Sequence, residues 1–217
     1  MADVDLHRDP GPAGPSALEE PPRWRGINHL ALLTNDMDAT TRFYHGVLGM
    51  RVVATISNPT FKHYFFEIGP GNTLAFFEYT GHDVGRIVKG AGDPPTIPAQ
   101  FDHLSFNLPD EQALIDLAAR LTEFKCGVTE IVDHHIMRSI YFTDPNGIAL
   151  EASYWVTDPT GRPADYGDGA TFFGDREPVP AVAELGATGD LAWTPRTELA
   201  NDDDAGDGGD DWATPDA

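Results

Sequence analysis

A single cysteine, Cys126, stands in this chain of 217 residues. One thiol excludes an intramolecular disulfide. Its place at the end of an apolar helical pattern reads as a small packed side chain. Basic residues are also scarce: 14 Lys and Arg face 35 Asp and Glu, a net charge of −21. Without a basic surface the phosphate-neutralising contribution is missing, which excludes nucleic acid and anionic membranes as expected partners. The deficit is uneven. From Thr157 onward 15 acids and 3 bases give −12, and the first 156 residues carry the other −9. No apolar run approaches the roughly 20 residues of a membrane helix. The opening M-A-D-V-D-L-H-R-D-P-G has no apolar signal core. A reducing cytoplasm is the expected compartment.

What is present is a repeat. Residues 1–22 are rich in Pro, Gly and Ala without hydrophobic periodicity and read as a flexible arm. Residues 201–217 hold seven Asp and no base and read as a disordered acidic tail. Between 157 and 200, scattered apolar residues such as Tyr166, Phe172, Phe173 and Leu191 suggest an irregular extension lying along the domain. A short helix is expected there near Pro180–Leu185. The domain itself spans 23–156 and divides into modules of about 26–80 and 100–156. In the first, strand patterns cover 26–33, 51–56, 62–68 and 73–79. A helix capped by Asn35 or Asp36 runs to about His45, with Ala39, Phe43 and Val47 on one face. In the second, strands cover 101–107, 127–132, 138–143 and 148–154. Their helix runs from Asp110 to about Phe124, with Leu114, Leu117, Ala118 and Leu121 inward. The hairpins G-P-G-N and D-P-N-G occupy equivalent places. The order β-α-β-β-β, a Gly/Pro-rich linker over 81–100, then β-α-β-β-β predicts an α+β fold.

Four residues recur at almost one offset. His29 in I-N-H-L and His103 in F-D-H-L are 74 residues apart; Glu78 in A-F-F-E-Y and Glu151 in A-L-E-A-S are 73 apart. The histidines fall on the first strand of each copy and the glutamates on the last. Alternation puts Ile27 and Ala31 on the face of His29, and Phe101 and Ser105 on that of His103. A carboxylate among Phe76, Phe77 and Tyr79, or among Leu150 and Ala152, is costly without a partner, and a cation removes that cost. Taken singly, each histidine reads better as a satisfied core residue and each glutamate as a solvated one. Together on equivalent strands they point to one metal ion, for which imidazole and carboxylate suit Fe, Mn, Co, Ni or Zn.

A second cluster lies in D-H-H-I-M-R-S-I-Y-F-T-D-P-N-G-I-A-L-E. Tyr141 sits on the strand paired with that of Glu151, and His134 lies at its entrance. Such a His can act as general base and such a Tyr can donate to a developing anion. Equally, Tyr141 can be a core aromatic and His134 a loop residue. His63 is placed to line the cavity. His135 is expected to face solvent, and His7, His45 and His82 look incidental. The aromatics Phe61, Tyr64, Phe66, Phe76 and Tyr154 fit either an apolar pocket or the core.

The repeat, its four ligand positions and the D-P-N-G hairpin resemble the vicinal oxygen chelate superfamily over about residues 24–156. That superfamily includes glyoxalase I, type I extradiol dioxygenases and the fosfomycin- and bleomycin-resistance proteins. The resemblance implies paired βαβββ modules in one open, curved eight-stranded sheet around a divalent metal. It implies a small substrate chelated through adjacent oxygens, and a homodimer. Carried over by position, His29, His103 and Glu151 match the facial triad of extradiol enzymes, with His134 and Tyr141 as the groups that assist ring cleavage. With Glu78 added they match the four-ligand set of glyoxalase I. A triad leaves three metal positions for a catecholate and O2, whereas four ligands leave two, enough for an enediolate. The longer motif around His134–Glu151 favours an Fe(II)-dependent ring-cleaving dioxygenase. A glyoxalase-like lyase or isomerase using Ni, Zn or Mn, or a binding or resistance protein without turnover, are the alternatives. Glu78 separates the first two readings.

Overall fold

The computed structural model describes residues 23–195 and 197. The expected N-terminal arm and acidic tail lie outside the described residues. The chain divides into two units, Arg23–Arg162 and a second that includes the described residues from Pro163 onward.

The first unit contains the two predicted modules. Module one comprises β1 (His29–Leu33), α1 (Met37–Thr41, continuing as a π-helical turn over Arg42–Val47), β2 (Arg51–Ser57), β3 (Phe61–Gly69) and β4 (Asn72–Tyr79). Module two comprises β5 (Leu104–Asn107), α2 (Glu111–Glu123), β6 (Val132–Asp133), β7 (Met137–Thr143) and β8 (Ala149–Trp155). The strands are hydrogen-bonded as two four-stranded sheets of identical order, β1-β4-β3-β2 and β5-β8-β7-β6. In each, the first strand runs parallel to the last and the remaining neighbours are antiparallel.

The elements start where the caps dictate. Asp36 accepts the Ala39 N–H and Asp110 accepts the Ala113 N–H, both at 2.9 Å, satisfying donors that a helix cannot pair internally. Met37, Thr40, Phe43 and Tyr44 recur at helical spacing and are buried. The helix widens to π geometry after Thr41, and Gly49, at φ +77°, ends the turn that follows. Three expected strands come out shorter, β1 by starting only at His29. β5 starts one residue after His103. The stretch 127–132 contributes only the bridge Val128–Phe142 before β6.

Alternation sorts each sheet into two faces. Leu30, Leu32, Leu74, Phe76 and Phe66 of module one, and Phe106, Leu150, Ala152, Ile140 and Phe142 of module two, belong to one hydrophobic core that includes both helices. The D-P-N-G hairpin of module two is tied to module one. Buried Asp144 accepts the Tyr44 hydroxyl at 3.1 Å, and Thr34 donates to Asn146 at 2.7 Å. Burial first, then the Asp144 charge, pushes the Tyr44 hydroxyl well above the usual tyrosine range, so it stays a donor.

In the second unit, α3 (Pro180–Thr188) begins with Pro at its first turn and ends at Gly189 in the left-handed conformation. Tyr166 and Phe173 pack with ring centroids 5.0 Å apart.

Candidate metal centre

The faces turned away from the shared core carry the polar chemistry. On β5 and β8, Ser105 lies opposite Glu151 and Asn107 opposite Ser153; on β7, Tyr141 lies opposite Glu151 and Ser139 opposite Ser153. His103 immediately precedes this strand. Its Nε2 lies 2.9 Å from Glu151 Oε2, and Tyr141 lies edge-on to its ring. His134 Nε2 is 2.8 Å from the Tyr141 hydroxyl. The structure therefore brings His103, Glu151, Tyr141 and His134 together. The left-handed backbone of His135, at φ +68°, makes the sharp turn between β6 and β7 that returns His134 to Tyr141.

Glu151 is only 5 % exposed. Burial works against its ionisation, yet Ser139, His103, Ser105 and Tyr141 around the carboxylate outweigh it and hold its pKa below the ordinary value. The same pocket raises the Tyr141 pKa, through burial first and the Glu151 charge second. A carboxylate kept charged next to a hydroxyl kept protonated is a pair of distinct acid–base roles.

His29 occupies the equivalent face of module one, among Ala31, Thr73, Ala75 and Phe77 by register. His63 shares that face. It is stacked on Phe77 with centroids 3.6 Å apart, and its ring lies 6.4 Å from that of His29. Burial, with a smaller contribution from His29, depresses the His63 pKa and favours the neutral ring. Phe61, Phe65, Phe77 and Tyr79 complete an aromatic wall beside His29. Of the aromatics singled out in the sequence, only Phe61 joins this wall. Phe66, Phe76, Tyr64 and Tyr154 belong to the core or pack against it. Phe65 and Phe77 escaped sequence reading; counting alternate residues from His63 would have found Phe65, whereas Phe77 depends on the pairing of β3 with β4.

Glu78 is not brought to this site. Its Oε2 accepts the Met37 N–H at 2.6 Å and its Oε1 pairs with Lys62 at 2.9 Å. It thus reinforces the N-terminus of α1, where the helix dipole favours an anion. Register explains the correction. Glu151 lies opposite Ser105, two residues past His103, whereas the residue opposite Ala31, two past His29, is Ala75. Glu78 is three residues beyond that position, and an odd displacement on a strand reverses the face. The near-equal offsets concealed a slip between the copies.

The remaining donors suit a divalent cation. Both histidines commit Nδ1 to the preceding side chain: His29 to Asn28 at 2.8 Å and His103 to Asp102 at 2.5 Å. That leaves each Nε2 for a metal, the arrangement typical of histidine ligands. The 2.9 Å separation of His103 Nε2 and Glu151 Oε2 is close to the edge of about 3 Å between adjacent ligands whose metal bonds are about 2.1 Å. Among the described residues, no three His, Cys, Asp or Glu side chains converge on one point. The structure thus brings together one pair of such donors, His103 and Glu151 in module two, while His29 lies on the polar face of the other module.

Residues 26–152 match the sequence model of the Glyoxalase/Bleomycin resistance protein/Dioxygenase superfamily. The chain belongs to this superfamily. Among curated proteins it is similar to MhqO of Bacillus subtilis (strain 168), whose name describes a ring-cleaving dioxygenase. The two are 30 % identical over 132 residues, 58 % of this chain and 39 % of MhqO. It is also similar to the metallothiol transferase FosB of Lysinibacillus sphaericus (strain C3-41), 23 % identical over 58 % of this chain and 80 % of FosB. The chain thus spans well under half the length of MhqO. A glyoxylase/bleomycin resistance protein/dioxygenase domain from Frankia sp. EAN1pec has the same fold, with a TM-score of 0.52 and 23 % identity. The alignment covers 61 % of this chain and 98 % of that one. The α+β paired-module architecture expected from the repeat is the superfamily fold. Superfamily members generally bind a divalent metal and small-molecule substrates. Among the described residues no helix is long and apolar enough to cross a membrane.

Proposed function

We propose that this protein is a divalent-metal-dependent enzyme acting on a small aromatic compound with adjacent oxygens. The reaction we favour is extradiol-type ring cleavage of a catechol-like substrate, with Fe(II) as the metal. The position of Glu78 carries this reading. With that carboxylate engaged by Met37 and Lys62, His29, His103 and Glu151 remain of the four ligand positions read from the repeat. Two imidazoles and one carboxylate are the set suited to non-haem Fe(II) oxygenases. Bound there, the metal would supply a Lewis acid that holds two neighbouring substrate oxygens.

The chain's own groups have defined tasks. The aromatic wall of Phe61, Phe65 and Phe77 offers rings against which an aromatic substrate can pack. His134, hydrogen-bonded to Tyr141, is placed to take a proton from a substrate hydroxyl by way of the tyrosine oxygen. Tyr141, its pKa raised, can return a hydrogen bond to a developing anion. A homodimer is the assembly we propose. The ligand faces of both modules are turned from the shared core, so a second copy can bring His29 of one chain to His103 and Glu151 of the other. The free thiol of Cys126 is compatible with a reducing cytoplasm.

The test is anaerobic purification, metal analysis and O2 uptake with a panel of catechols. Iron with catechol-dependent uptake is expected. Nickel, zinc or manganese without uptake would sink the dioxygenase and promote the glyoxalase-like lyase or isomerase.

A further inference from the structure

Asp102 is held from three sides. Lys89 Nζ donates to its Oδ2 at 2.7 Å, the Gly92 N–H donates to its Oδ1 at 2.8 Å, and His103 Nδ1 donates to the same Oδ1 at 2.5 Å. Lys89 and Gly92 belong to the linker between the modules, which has no helix or strand. The linker is nonetheless fastened. Val84 and Asn35 exchange hydrogen bonds of 2.8 and 3.1 Å, and Arg86 donates to the Asn146 carbonyl at 3.2 Å. A tight turn, with the Asp93 N–H on the Gly90 carbonyl at 3.2 Å, presents Lys89 and Gly92 to Asp102. The Asp93 carboxylate folds back over Gly90, 2.4 Å from where a Cβ would stand. The Lys89 side chain is 12 % exposed, unusually low for a lysine in a loop.

Among the described residues, module one has no counterpart of this clamp. His29 is held by Asn28, a neutral amide in an exposed setting. The two histidines therefore differ in what orients them, although the sequence presents them as equivalents.

We propose that Asp102 is a positioning residue for His103, and that the Lys89–Gly92 segment of the linker is a clamp that holds it in that role. The carboxylate retains the Nδ1 proton and fixes the ring plane, so that Nε2 faces Glu151 and the cation that would bind there. The linker is then part of the metal centre rather than a passive tether. This rests on the metal-centre reading above only for the cation; the orientation of the ring is a property of the metal-free chain.

Two measurements test it. The first is the long-range 1H–15N spectrum of the histidine rings in metal-free, 15N-labelled protein. His103 is expected to carry its proton on Nδ1, to lose that signature in Asp102→Ala, and to keep it in Asp102→Asn, whose amide oxygen can still accept. The second is titration with Co(II), read by its visible absorption. Asp102→Ala is expected to weaken binding about 10- to 100-fold, with Asp102→Asn and Lys89→Met losing less. Unchanged ring shifts and unchanged affinity in Asp102→Ala would overturn the proposal, as would equal losses in the Ala and Asn variants. Failure of the unsubstituted chain to bind Co(II) would instead reject the metal-centre reading, and the ring spectra would still decide the role of Asp102.

Discussion

Glu78 and Glu151 look alike in the sequence and differ in every physical respect. Glu78 caps a helix and pairs with a half-exposed lysine; Glu151 is buried among polar groups beside His103. Substituting each by Gln should separate them. Glu78→Gln is expected to leave metal affinity intact and to lower stability by at most about 1 kcal/mol, the worth of an exposed ion pair and a helix-end charge. Glu151→Gln is expected to abolish metal binding. Calorimetric titration and thermal unfolding check both. In the metal-free protein Glu151 should also leave a signature in acid. Its folded pKa is depressed, so its contribution to stability is complete above the ordinary value of 4.5 and drains away as pH falls through the lower folded value. The stability difference between the unsubstituted chain and Glu151→Gln, measured by urea unfolding, should therefore shrink below pH 4.5. The acid–base pair makes a separate prediction. Tyr141→Phe and His134→Gln should each slow turnover by about 10²- to 10⁴-fold while metal content stays the same. A parallel loss of metal would assign them a structural role instead.

Among the elements, the D-P-N-G hairpin joins the two modules. Its turn is internally tied, with Asp144 Oδ1 accepting the Asn146 and Ile148 N–H groups at 2.9 and 2.8 Å. The same carboxylate receives the hydroxyl of fully buried Tyr44 from module one. Tyr44→Phe removes one donor to a buried charge and is expected to destabilise by about 1–3 kcal/mol. A double-mutant cycle with Asp144→Asn should show coupling, because the two side chains share one interaction. Strictly additive effects would mean that the bond contributes nothing across the modules. As a sequence motif D-P-N-G was legible only as a turn. Its partners Tyr44 and Thr34 are 100 and 112 residues away, and no local signal could name them.

For the molecule as a whole, the question is how His29 meets the pair in module two. Each module buries one sheet face in a common core and leaves the other, ligand-bearing face outside it. If two copies share their sites, mixing His29→Ala with Glu151→Ala chains should rebuild one intact site in each mixed dimer. Random exchange between two-fold dimers would then restore roughly a quarter of full activity. No restoration after verified exchange would mean that each site closes within one chain.

The sequence by itself determined the repeat, the order of elements, the helix caps and the family, because these rest on periodicity and on short-range chemistry. It also placed Tyr141 on the strand paired with that of Glu151, since a hairpin of known length fixes that pairing. Only the tertiary structure decided the fate of Glu78. A period of two makes the face of a strand residue depend on register to the single residue, and Glu78 stands three residues beyond Ala75, the position equivalent to Glu151. The clamp on Asp102 was likewise decided by the path of a linker without helix or strand, and the aromatic wall beside His29 by strand pairing, neither of which composition and spacing encode.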